Sequence, residues 1–231
     1  KGKFTFDPVL HDQGKKQVLG KTIGADGSQD DGDRVLDLVA THPSTARHIS
    51  RKLCRYFLGD SSGIAEDAVT KAFLDSKGDI KTMLRAMYSA TKGAALKPQV
   101  RRPFDFMVAT LRVMGADTDG GRALLDYLTK MGHARFEWPM PDGYPVRDDA
   151  WTGSMVGRWR FVNDLLQGRI DGTHCDIPRL TKLRQSDDPV ELVAFASKGT
   201  PAHHNLTEMV AGLDQLEKVG LVLCSPEFQW K

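Results

Sequence analysis

The stretch Pro43-Ser44-Thr45-Ala46-Arg47-His48-Ile49-Ser50-Arg51-Lys52-Leu53-Cys54-Arg55-Tyr56-Phe57-Leu58 decides the fold. A proline opens it, at a position where the missing N–H costs nothing, because the first N–H groups of a helix have no intrahelical acceptor. Ala46, Ile49, Leu53 and Phe57 then recur at three- and four-residue steps, the spacing of one helical face. The same grammar repeats outward. Pro103, Pro189 and Pro201 each precede an amphipathic run; Asp188 and Thr200 precede two of these prolines as caps, with His42 and Arg102 as weaker ones. Helices are expected near 33–41, 43–58, 62–76, 79–90, 103–115, 120–131, 153–167, 189–197 and 201–224. Ile80, Met83, Leu84, Met87 and Tyr88 form one stripe, Met155, Trp159, Val162 and Leu166 another, and Leu206, Met209, Val210, Leu213 and Leu216 the last. Each stripe requires a partner face, and short connections place neighbours side by side.

Only residues 4–23 read as β. Phe4-Thr5-Phe6 and Gln17-Val18-Leu19 flank a polar turn, Asp12-Gln13-Gly14-Lys15, which predicts a hairpin. Residues 24–32 read as an acidic loop, and 133–152 and 168–187 as non-helical connections. The expected fold is therefore mainly α: a compact multi-helix domain over 31–231, led in by a short N-terminal β-hairpin and loop over 1–30.

Composition narrows the function classes. The chain has 231 residues, 40% of them hydrophobic and 27% charged, enough to bury a core without metal or disulfide staples. Thirty-two basic against thirty acidic side chains leave +2, which gives no strong pull towards nucleic acid or anionic membrane. The longest apolar stretch, around Val219 to Cys224, falls far short of the ~20 residues of a membrane span. Cys54, Cys175 and Cys224 lack the close spacing of a zinc or redox motif, and thiols beside apolar helical positions read as buried and inert. The chain opens on Lys1, as expected of a piece of a longer protein.

Few motifs carry chemistry. Gly20-Lys21-Thr22 has the ending of a phosphate loop, but the required glycine at position 15 is Lys15 and no helix follows. Arg47, Arg51 and Arg55 form a four-residue ridge, read either as a solvated face or as a seat for an anionic ligand or partner. His203, His204 and Glu208 could hold a metal, but adjacent histidines on a helix point about 100° apart, and no metal site or cofactor is predicted. The segment 133–152 is the foremost candidate. Its Trp138, Tyr144 and Trp151 can form a platform for a sugar or another aromatic surface, with Asp142, Asp148 or Asp149 fixing orientation. The same rings can instead pack the core, and a carboxylate pair could hydrolyse glycosides. No Gly-x-Ser-x-Gly elbow is present.

Several blocks together carry a family resemblance. Phe6-Asp7-Pro8 through Leu10-His11-Asp12, Gly14-Lys15-Lys16 and Val18-Leu19-Gly20-Lys21 come first. Gly32-Asp33-Arg34-Val35-Leu36-Asp37-Leu38, His42-Pro43-Ser44-Thr45-Ala46-Arg47 and Arg51-Lys52-Leu53 with Phe57 follow. Then come Gly78-Asp79-Ile80, Arg102-Pro103-Phe104-Asp105-Phe106, Pro141-Asp142-Gly143-Tyr144 with Trp151, and Ser225-Pro226-Glu227-Phe228-Gln229. In this order they resemble the family called domain of unknown function 1800 (DUF1800). The chain departs from the family pattern after Tyr88, where Ser89-Ala90-Thr91-Lys92 stands in place of a second Ser-Pro-Glu-Phe.

Family proteins are about twice this length, so the resemblance implies a C-terminal half. It also implies a bacterial protein, commonly exported and so extracytoplasmic. It implies as partner the family encoded beside it, domain of unknown function 1501 (DUF1501), which looks like sulfatases and alkaline phosphatases. The family has no established activity, so no catalytic residue carries over. Two functions are expected: a non-catalytic binding or assembly module, or part of a hydrolytic or metal-dependent enzyme completed by an N-terminal half.

Overall fold

The computed structural model describes residues 2–24, 28–176 and 212–231. The helices expected at 189–197 and over 201–211, with Pro189, Pro201 and their caps, His203, His204 and Glu208, lie outside the described residues. Eight α-helices and two short antiparallel strand pairs make the described fold, which is mainly α. The chain divides into two units, Lys1–Leu96 and Lys97–Lys231.

The first unit opens on a hairpin of β1 (Lys16–Val18) and β2 (Lys21–Ile23), paired Lys16 to Ile23, Gln17 to Thr22 and Val18 to Lys21. Its turn is Leu19-Gly20, both at positive φ, which suits the right-handed twist of the flanking strands. The expected hairpin is thus corrected in its register. Phe4–Phe6 is not a strand, and the polar turn at 12–15 closes on itself through Asp12 Oδ1 accepting from the Gly14 N–H at 2.8 Å. Leucine at a turn position gives no sequence signal, so the true turn was hidden.

Helix α1 (Asp30–Ala40) follows, starting inside the expected acidic loop. Acids in a first turn favour the positive end of the helix dipole. Asp31 is nonetheless buried, and its Oδ2 accepts from Lys16 Nζ at 3.0 Å and from His11 Nε2 at 3.2 Å. The Lys16 hydrogen bond foremost holds its carboxyl below the usual range. This carboxylate therefore ties the hairpin to the first helix.

Next come α2 (Pro43–Leu58), a 3-10 turn over Gly59–Ile64, α3 (Glu66–Ser76) and α4 (Ile80–Ala90). His42 caps α2 with its ring, Nδ1 accepting from the Ser44 N–H at 3.1 Å. The helix expected over 62–76 begins only at Glu66, because the chain turns at Gly59, where φ is +52°. Helix α3 packs against both α2 and α4 around Cys54, Leu58, Val69, Phe73, Met83 and Met87. The buried row of α2 is Ala46, Ser50, Cys54 and Leu58; Ile49 and Phe57, expected inside, are exposed.

The second unit consists of α5 (Pro103–Val113), β3 (Asp117–Thr118), α6 (Arg122–Lys130), a 3-10 turn over Asp148–Ser154, α7 (Met155–Leu166), β4 (Thr173–His174), α8 (Gln215–Cys224) and a final 3-10 turn, Glu227–Gln229. Strand β4 falls in the 168–187 segment read as a non-helical connection and pairs with β3, which lies between α5 and α6. Helix α8 begins at Gln215, with Asp214 and Glu217 capping each other, so the run expected over 201–224 is not one helix. The core gathers edge-to-face phenylalanines, Phe106 against Phe161 and Phe228, with Leu128, Leu165, Val219 and Leu223 around them. Helix α7 corrects its expected stripe as well: Arg158, Phe161, Val162 and Leu165 are buried, while Trp159 is half exposed.

A wholly buried arginine is affordable only if its donors find acceptors. Arg158 Nε donates to Ser154 Oγ at 3.1 Å, Nη1 to Gln229 Oε1 at 2.9 Å and Nη2 to the Trp151 carbonyl at 3.2 Å. Burial pushes its pKa down to about 10, so it stays charged at neutral pH. Gln229 Nε2 in turn donates to the Leu223 and Ser225 carbonyls, both at 3.1 Å. Arg158→Ala leaves a cavity and unpaired buried acceptors and is expected to lower unfolding stability by about 3 kcal/mol. Arg158→Lys does not restore it, since one ammonium cannot span the three acceptors of the guanidinium fork. Urea unfolding checks both; an alanine variant as stable as the native chain refutes the brace.

Candidate functional site

The segment between α6 and α7 is built from its ends inward. Helix α6 stops at Gly132, where φ is +76°, a conformation that costs a residue with a Cβ more than glycine. This turn folds the His133 side chain inward, where Nδ1 accepts from the Phe104 N–H in the first turn of α5 at 3.3 Å. At the other end, the 3-10 turn buries Trp151, whose Nε1 donates to the Pro145 carbonyl at 2.9 Å. Tyr144 closes the middle, its hydroxyl donating to the Ala134 carbonyl at 2.5 Å.

The four rings follow one another in a ladder of edge-to-face and tilted contacts. His133 lies 4.8 Å from Trp151 and 4.6 Å from Tyr144, and Tyr144 lies 4.8 Å from Trp138, centroid to centroid. Exposure rises along it, from Trp151 at 5% and His133 at 6% to Trp138 at 38%. Trp151, expected as part of a platform, is therefore a packing residue at its base. Around Trp138 two large apolar side chains stand out, Phe136 at 94% exposure and Met140 at 58%, with Glu137 also exposed between Phe136 and Trp138. Phe136 holds φ at +62°, uncommon for a residue with a side chain, while the Arg135 guanidinium lies 4.4 Å from the Phe104 ring and 5.2 Å from the Phe136 ring.

The three candidate carboxylates are separated by their partners. Asp142 Oδ1 accepts from Trp138 Nε1 at 3.3 Å and so steers the outer ring. Asp148 Oδ1 accepts from the Val100 N–H at 3.2 Å, anchoring the loop to the segment before α5. Asp149 pairs in a fork with Arg147. No acid–base pair is assembled from them.

Arg47, Arg51 and Arg55 are all exposed on α2. Arg51 lies 3.6 Å from Glu66 of α3, and Arg47 reaches Ser44 Oγ at 3.5 Å. Among the described residues no group of three or more His, Cys, Asp or Glu side chains could hold a metal. Burial pushes the thiols of Cys54 and Cys224 up to about 11, far from nucleophilic at neutral pH. His133, Phe136 and Met140 are not among the candidate site residues offered by the sequence. A histidine directly after the glycine that ends a helix was the available signal, because such a residue is turned back towards the core.

Burial first, then the charges of Arg102 and Arg135, push the His133 pKa down from 6.5 to about 4. The ring is thus neutral in the fold and carries its proton on Nε2, leaving Nδ1 to accept. A depressed folded pKa means that the unfolded chain binds more protons between these values, so stability is lost as pH falls from about 6.5 to about 4, by roughly 3 kcal/mol. His133→Asn keeps an acceptor near the Nδ1 position. It is expected to lower stability at pH 7 through lost ring packing while flattening this pH dependence, as read from urea midpoints between pH 4 and 7.

A family model described as a protein of unknown function, DUF1800, matches residues 1–230. No curated protein and no solved structure matches. With the match running over essentially the whole chain, from the hairpin to the closing 3-10 turn, the protein belongs to the DUF1800 family.

Proposed function

We propose that the chain is a non-catalytic binding or assembly module of an exported, extracytoplasmic bacterial protein. Its contact surface is the outer rim of the 133–152 loop. The observation that carries the reading is the exposure of Phe136, Trp138 and Met140 on a loop whose inner side is pinned by rings and hydrogen bonds. Large apolar side chains held out to water on an ordered base suit an interface better than a core. A protein face suits this rim better than a sugar. Sugar recognition needs several polar groups converging around the ring, whereas the largest exposed side chains of the rim are phenyl, indole and thioether, Asp142 already holds the Trp138 N–H, and the exposed Arg135 and Glu137 flank Phe136. The partner proposed is the sulfatase- and phosphatase-like DUF1501 protein encoded beside the family.

The test is copurification and titration of the protein with that neighbour. Phe136→Ser combined with Met140→Ser is expected to weaken binding at least tenfold, as loss of two interface side chains worth about 1 kcal/mol each would do. The urea midpoint should stay put, since neither side chain is buried. Undiminished binding by the double variant would sink the reading.

A further inference from the structure

Helix α5 is capped from elsewhere in the chain. Arg102, at its N-cap position, makes no side-chain cap hydrogen bond, and Pro103 carries no N–H. The next donor, the Phe104 N–H, has no intrahelical acceptor, as holds for any first turn. His133 supplies one: its Nδ1 accepts from the Phe104 N–H at 3.3 Å, across 29 residues of sequence. The ring thus caps α5 and joins the 133–152 loop to it.

This cap works in one protonation state. An imidazole can accept on Nδ1, whereas an imidazolium donates from both nitrogens and would set N–H against N–H. The charges around the ring bear on the same choice. Arg102 at the start of α5 and Arg135 in the loop oppose a second proton, and so does the positive end of the α5 dipole. Asp105, in the first turn of α5, favours it, with the smallest effect. The Tyr144 and Trp151 rings, 4.6 and 4.8 Å away, pack against a side chain that water hardly reaches.

The two ends of the loop are held differently. At the near end the grip on α5 is at Phe104, His133 on its N–H and the Arg135 guanidinium over its ring. At the far end Asp148 accepts from the Val100 N–H and Arg158 donates to the Trp151 carbonyl. The Tyr144 hydroxyl closes onto the loop's own Ala134 carbonyl.

We propose that His133 is an acid-released latch: protonation of its ring uncaps α5 and frees residues 133–147 locally, while the end at Trp151 stays fixed. Its consequence for binding rests on the rim reading above, because Phe136, Trp138 and Met140 lie in the freed stretch and acid would release a partner held there. The closed loop keeps the ring neutral down to about pH 4, whereas an opened loop takes up the proton from about pH 6.5. The opening equilibrium therefore rises as pH falls, by about 50-fold from pH 7 to pH 4.5.

Hydrogen exchange of the Phe104 amide reads the latch directly, followed by NMR in the full chain and corrected for the intrinsic pH dependence of exchange. Its protection is expected to fall by that factor over this range. The fall should be indifferent to urea below the unfolding transition, as a local opening is. His133→Asn keeps an acceptor but does not titrate, so its protection should not change with pH. Arg135→Gln, at an exposed position, removes one of the two guanidinium charges, so the fall should level off at a higher pH. Protection that is independent of pH overturns the latch, and so does the same slope in His133→Asn. A fall that urea enhances as strongly as it does for amides inside α7 overturns it too, since the opening would then be global. If exchange behaves as expected and the neighbouring DUF1501 protein binds at no pH, the rim reading falls and the latch stands. If that protein binds equally well at pH 7 and pH 4.5, release in acid is refuted.

Discussion

The second unit depends on one guanidinium kept out of water. Arg158 projects from α7 into a core of phenylalanine and leucine, and the cost of burying its charge is offset only because three different segments supply acceptors. One is Ser154, at the junction into α7. Another is Gln229, in the closing 3-10 turn. The third is the Trp151 carbonyl, at the base of the ring ladder. The charge thus works as a registration device: moving any of the three segments leaves a buried donor unpaired. Around it the chain end is stitched in place, with Arg101 N–H donating to the Gln229 carbonyl, Gln99 and Lys231 exchanging backbone hydrogen bonds, and the Arg101 guanidinium over the Phe228 ring. The ladder of Trp151, His133, Tyr144 and Trp138 rests on this frame, so the position of the exposed rim is inherited from a buried charge.

The first unit uses the same physics with the opposite sign. Asp31 is a buried anion whose donors come from His11 and Lys16, in the lead-in and the hairpin, while Arg34 approaches its other oxygen at 3.8 Å. A two-stranded ribbon this short has no stability of its own in water. The carboxylate gives it a fixed attachment point on α1. In each unit a charged side chain that simple patterning would assign to the surface organises the segment that patterning could least predict.

That contrast explains what the sequence made legible. Helices α2 and α5 were readable to within about two residues, because proline at the start and an apolar period afterwards are local signals. The face each helix buries was less readable. On α2, Ser50 is inside and Ile49 outside, and on α7 Arg158 is inside while Trp159 is half exposed. Hydropathy ranks these pairs the other way. Which residue turns inward was decided by partners distant in sequence, and Gln229 is 71 residues from Arg158. The loop at 133–152 was recognisable as special from its composition, but not its division of labour. Trp138 and Trp151 are chemically identical, and only the fold makes one a rim residue and the other a base.

The division of labour also bears on which chemistry the loop can support. Catalysis by paired carboxylates needs two acids facing a shared gap, with environments that separate their protonation states. Here Asp148 faces a backbone N–H, Asp149 faces Arg147 and Asp142 faces an indole N–H, three directions set by three structural tasks. The loop also holds out apolar surface, at Phe136 and Met140, beside the exposed Glu137. Holding such surface on an ordered loop places the conformational cost in folding rather than in association, so a partner would meet side chains already positioned. A positive-φ phenylalanine accords with this: Phe136 holds a backbone conformation that is costly for a residue with a side chain, and the Arg135 guanidinium lies 5.2 Å from its ring.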